Sequence, residues 1–117
     1  MEPFTVTQKE MEGISILGVG GYFAADAGRK VQEKVGALLK DGKVYIILDL
    51  SACKAINSPG VASVMDVTMK ILDDFKGKLV LVGLNRLMVS VFTMAGIIPL
   101  AETGTDVSEG IRKIKPK

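Results

Sequence analysis

The chain has no histidine and a single cysteine, Cys53. The first absence removes every catalytic arrangement that uses imidazole as its base, and a lone thiol supports neither a disulfide framework nor a zinc cluster. No residue set calls for a cofactor or a metal. Charge of one sign is also scarce: the net charge is +2, and the only local basic excess is Arg112, Lys113, Lys115 and Lys117 at the C-terminal end. Nucleic-acid binding is therefore unsupported, and these cations suit a solvated helix end. Long apolar runs are missing too. Asp, Lys or Glu interrupts each one well short of the roughly 18 residues that a membrane span needs, and the N-terminus lacks a charged-then-apolar signal pattern. These absences lead to the expectation of a cytoplasmic, soluble protein that does not insert into membrane.

What remains is 117 residues with 48% hydrophobic content, long enough for one domain, residues 1–117, around one core. Phe4–Met11 and Ile14–Val19 alternate apolar and polar residues about Glu12-Gly13 and read as a β-hairpin. Gly18, Gly20 and Gly21 have neither dinucleotide spacing nor a downstream Gly-Lys-Ser/Thr, so they mark a strand exit with unusual backbone angles rather than a phosphate cradle. Ala27, Val31, Val35, Leu38 and Leu39 recur at helical spacing over 25–40, with Asp41-Gly42 as the stop. Val44–Leu50 is a continuous run rich in β-branched residues, as a central strand covered on both faces requires. Cys53, just after it, reads as a small packing residue.

Val61, Val64, Met65, Thr68, Ile71, Leu72 and Phe75 trace one stripe of a second helix. A strand over Lys78–Leu84, a helix over Arg86–Ala95 stopped by Gly96, and a strand over Ile98–Ala101 come next. Asp106 and Glu109 then form a capping box for a last helix carrying Val107, Ile111 and Ile114. The order predicts a single-domain α/β fold with a mixed, mostly parallel sheet of about five strands and four helices, the hairpin giving an antiparallel edge.

Ser58 stands at the junction of the central strand and the second helix. Proline fixes φ near the helical value and biases the residue before it toward extended geometry, so Pro59 suits the first helical position and Ser58 the N-cap. That places a hydroxyl where partial positive charge and unpaired N–H groups favour a phosphate. The alternative is a plain cap worth about 1 kcal/mol. In the third helix Leu87, Met88, Val89, Val91, Phe92, Met94 and Ala95 point nearly all round. Either neighbouring helices cover them, or some of Met88, Val89 and Met94 lies exposed as an adaptable partner surface.

Asp49 ends the central strand, where receiver domains carry a phosphorylated aspartate. The hairpin supplies no acidic pair and 98–101 no lysine, so Asp49 reads as structural. No general base stands at a diagnostic spacing from Ser58, and the chain is not expected to be an enzyme.

The element order, Leu48-Asp49-Leu50-Ser51, the turn Asn57-Ser58-Pro59-Gly60 before an apolar helix, and Val91-Phe92-Thr93-Met94-Ala95-Gly96-Ile97 together resemble the STAS domains of bacterial anti-sigma factor antagonists, over roughly Ile14 to Ile114. In that family the junction usually reads Asp-Ser-Ser/Thr-Gly, and its first serine is phosphorylated by an anti-sigma factor that is itself a serine kinase. The resemblance implies that Ser58 is the phosphoacceptor and that Asn57, Pro59 and Gly60 shape the switch loop. It further implies that the unphosphorylated chain binds the anti-sigma factor/serine kinase, freeing a sigma factor for transcription, and that a phosphatase resets the switch. Asn57, Pro59 and Ala24 depart from the family pattern, each losing a polar group near the switch. An alternative within the family is a docking subunit of a multi-protein assembly, such as a bacterial lipid-transport ATPase complex, without phosphoregulation. Homodimerisation is left open.

Overall fold

In a computed structural model, which describes residues 3–115, the elements run β1 (Phe4–Met11), β2 (Ile14–Phe23), α1 (Ala25–Lys40), β3 (Tyr45–Asp49), β4 (Cys53–Ile56), α2 (Ser58–Met69), β5 (Lys78–Val82), α3 (Arg86–Met94), β6 (Glu102–Gly104) and α4 (Val107–Ile114). A π-helical turn, Lys70–Asp74, continues α2. The sheet order is β1-β2-β3-β5-β6, with β1 antiparallel to β2 and the remaining pairs parallel. This is the mixed α/β architecture that the sequence predicts.

Strand alternation divides the core in two. Leu17, Val19, Ile46, Leu48, Leu79 and Leu81 face α1, α2 and α3, whereas Ile14, Ile16, Ile47, Val80 and Val82 face α4 through Ile111 and Ile114. Both faces of β3 and β5 are thus buried, which is why those strands read as unbroken apolar runs rather than as alternation. Asp106 caps α4 by accepting from the Glu109 N–H at 2.9 Å. The Glu109 carboxylate reaches back one residue further than in a capping box, accepting from the Thr105 N–H at 2.7 Å. That bond holds its pKa below the ordinary carboxylate value. Of the C-terminal cations, Arg112, Lys113 and Lys115 are exposed and Lys115 donates to the Glu12 carbonyl at 3.1 Å; Lys117 lies outside the described residues.

Three expectations need correction. The glycines do not end β2, which runs on to Phe23. Gly21 adopts φ +77°, and the register with β4 shifts between Gly21 and Tyr22, so the unusual backbone is a kink within a strand. Second, β4 was not expected. The Cys53 N–H closes a turn on the Leu50 carbonyl and the Gly21 N–H reaches the Ala52 carbonyl, both at 3.0 Å, so the chain leaving β3 makes a short turn and then resumes parallel pairing with the far end of β2. Third, Ile98–Ala101 is a turn and the strand lies beyond it at Glu102–Gly104. Pro99 has no N–H for a ladder, and the Ala101 N–H bonds back to the Ile97 carbonyl at 2.8 Å.

Candidate functional site

The turn between β4 and α2 is held from both sides. Asn57 has extended backbone, φ −111° and ψ −179°, and its Oδ1 accepts from the Gly60 N–H at 3.1 Å. Its own N–H donates to the Phe23 carbonyl at the end of β2, at 3.3 Å, and its carbonyl accepts the first intrahelical bond, from Val61 at 2.9 Å. Asn57 is therefore the N-cap, and the expectation that Ser58 fills that place is wrong by one residue. Ser58 is the first helical residue and Pro59 the second. Both tolerate their positions, because the N–H groups of a helix's first turn have no intrahelical acceptor for proline to forfeit.

Gly60 is buried and fixes how closely this turn approaches the sheet. A β-carbon there would collide with the Phe23 carbonyl and stand 2.9 Å from Ile56 Cγ1. The helix start is thereby pinned to the end of β2. Asn57, Ser58 and Pro59 are left exposed. The Ser58 side chain makes no hydrogen bond among the described residues, while Ser63, one turn on, donates to the Pro59 carbonyl at 3.0 Å.

The STAS domain family profile matches residues 5–110. The chain belongs to the STAS domain family. This STAS domain is 24% identical over 112 residues to the anti-sigma-F factor antagonist RsfB of Mycobacterium tuberculosis, covering 95% of this chain and 92% of that one. Its fold matches the crystal structure of an anti-sigma factor antagonist from Mycobacterium paratuberculosis with a TM-score of 0.83 at 17% identity, over 97% of this chain and 95% of the other. The Bacillus cell fate determinant SpoIIAA in its phosphorylated form matches with a TM-score of 0.75 at 19% identity, over 95% of this chain and 100% of that one.

Elsewhere in this STAS domain, the three expected contact residues of α3 separate. Met88 is 2% exposed and packs in the core with Phe92 and Ile97, so its assignment to a partner surface is corrected. It sits at the third position of α3, one turn before Phe92, and the two share the inward face. Val89 and Met94 are exposed, Met94 at 84%. Leu87 at 69% and Leu100 at 49% join them, and sequence reasoning did not single these two out as contacts. No local signal marks Leu87, because apolar residues on nearly every face of α3 hide which one is buried.

Asp49 Oδ1 accepts from the Ser51 N–H at 3.0 Å and so stabilises the turn out of β3, the structural role expected of it. Cys53 is buried and its Sγ lies 3.4 Å from the Ala55 carbonyl. Burial pushes its thiol pKa up, as suits an inert packing residue. No group of three or more His, Cys, Asp or Glu side chains is placed to hold a metal among the described residues. No helix among them is long and apolar enough to cross a membrane.

Proposed function

We propose that this STAS domain is an anti-sigma factor antagonist whose binding to an anti-sigma factor/serine kinase is switched by phosphorylation of Ser58 and restored by a phosphatase. The supporting observation is that Asn57, not Ser58, caps α2. The Ser58 hydroxyl thus has no structural duty to explain its presence, and it stands exposed at the start of a pinned helix. A phosphate adds about −1.5 to −2 charges there, at the positive end of the helix dipole, without entering the core. The fold persists while the exposed turn gains negative charge. The same charge placed in an interface without a matching cation costs on the order of 2–5 kcal/mol, enough to release a partner.

The test is a paired capture from native-host lysate with wild-type and Ser58→Asp baits, the captured proteins being identified by mass spectrometry. A serine kinase of the anti-sigma type held by wild type and absent from the variant is the expected result. Retention of that partner at full affinity by Ser58→Asp would sink the switch. The exposed apolar residues Leu87, Met94 and Leu100 favour a second reading, a docking subunit of a larger assembly. On that reading both baits capture the same assembly subunits equally.

A further inference from the structure

The backbone donors at the start of α2 can be accounted for one by one. A helix leaves the N–H groups of its N-cap and first three residues without intrahelical acceptors, and these are what hold an anion at a helix start. In α2 the Asn57 N–H goes to the Phe23 carbonyl and the Gly60 N–H to Asn57 Oδ1. Pro59 has no N–H at all. Only the Ser58 N–H lacks an acceptor among the described residues.

The concavity beside Asn57, about 290 Å³, is lined by Tyr22, Phe23, Ala24, Ala55, Ile56 and Asn57 and has no charged side chain in its wall. On α1, Arg29 is paired with Asp26. On α2, Asp66 accepts from Gln32. Lys54 of β4 lines a different concavity, with Phe4, Gly20 and Tyr22.

We infer that Pro59 withholds from a phosphate on Ser58 the backbone donor that the second residue of α2 would otherwise offer, so that the domain neutralises this phosphate only in part, through the Ser58 N–H and the helix dipole, and leaves it open to a cationic group on a partner. This rests on Ser58 being the phosphoacceptor. It makes Pro59 a tuning residue of the switch: the repulsion felt by the bound partner is greater than it would be with a donor at position 59, and whatever recognises the phosphorylated form brings its own positive charge.

The experiment installs phosphoserine genetically at position 58 of the full chain and follows its second ionisation by phosphorus NMR at low salt. The same titration is run on Pro59→Ala and on phosphoserine in a short unstructured peptide. The phosphorylated wild-type sequence is expected to titrate only slightly below the peptide's midpoint of about pH 6, because the helix dipole and the Ser58 N–H act on it without a second donor. Pro59→Ala is expected to titrate about half a unit lower, because the restored N–H favours the dianion. The new amide proton should also shift downfield as the phosphate ionises. Either of two results overturns the inference: a wild-type midpoint already well below the peptide's, meaning that the domain neutralises the phosphate without that donor, or a Pro59→Ala midpoint that does not move. A thermal melt of both proteins establishes that each is folded. Because the phosphate is installed, the titration reads donor geometry whether or not a kinase acts on Ser58, and the bait comparison reads the switch separately.

Discussion

Two helices of this domain begin on an asparagine. Asn57 opens α2 and Asn85 opens α3, each in extended backbone and each accepting, through Oδ1, the N–H of the third helical residue, at 3.1 Å from Gly60 and 2.8 Å from Met88. The caps are equivalent, yet the residues they position are not. In α2 the third residue is a glycine, forced by the approach of the Phe23 carbonyl, and the hydroxyl of Ser58 is carried outward. In α3 the third residue is Met88, which enters the core, and Arg86 and Leu87 are carried outward. One helix start presents a small modifiable group on an immobile turn; the other presents an apolar side chain. A capped helix is thus a neutral mount, and the first residues beyond the cap decide its use.

The comparison is broken most severely at the third helical positions. Gly60→Ala drives a methyl group into backbone that cannot rotate away, and should destabilise the domain by about 3 kcal/mol. Met88→Ala removes a fully packed side chain and leaves a cavity, at a similar cost of about 3 kcal/mol. The two differ in where the damage falls. Under the proposed function, Gly60→Ala at a temperature where it remains folded should also lose partner capture, because the Ser58 turn has moved, while Met88→Ala should retain it. Chemical denaturation for stability, with capture on the same samples, separates these outcomes. Equal loss of capture by both would mean that the pinned turn has no special part in binding.

A milder pair asks whether the two caps are in fact equivalent. Asn57→Ala and Asn85→Ala should each cost about 1 kcal/mol, read by denaturant midpoint at constant slope. Asn57 also uses its backbone N–H on Phe23, a bond that the substitution keeps. A loss at Asn57 far above that at Asn85 would show that its side chain holds the β4–α2 junction as well as the helix start.

The sequence carries the parts of this fold that depend on periodicity. The apolar stripes of α1 and α2 and the doubly buried runs of β3 and β5 are legible because burial repeats at the spacing of the element. What escapes depends on distant partners. Cys53–Ile56 buries only Cys53 fully, and it is a strand because the far end of β2 reaches it past the kink at Gly21. At the site, Asn57 and Ser58 are both good cap formers, and the preference of Pro59 for the first helical position points to Ser58, the wrong one. The choice is made by the Phe23 carbonyl, which accepts from Asn57 and leaves room at Gly60 for nothing larger than hydrogen. In α3, apolar residues at every position but Arg86, Ser90 and Thr93 conceal which face is inward until the sheet below is in place.

The smallest expected effect on stability tests the outward half of the comparison. Leu87 and Met94 are too exposed to contribute much to the core, so Leu87→Ser and Met94→Ser should each shift stability by less than about 0.5 kcal/mol. If α3 serves only to cover the sheet, capture of the partner is also unchanged, and the Asn85 cap positions nothing but Met88. If instead its outer face belongs to the docking surface, both variants weaken capture while Ser90→Ala, on an exposed polar position of the same helix, does not. Combining either variant with Ser58→Asp then distinguishes one interface from two. Exposed α3 residues that contact the same partner as Ser58 have nothing left to lose once that partner is released, whereas residues serving a separate assembly contact weaken its capture equally in both backgrounds.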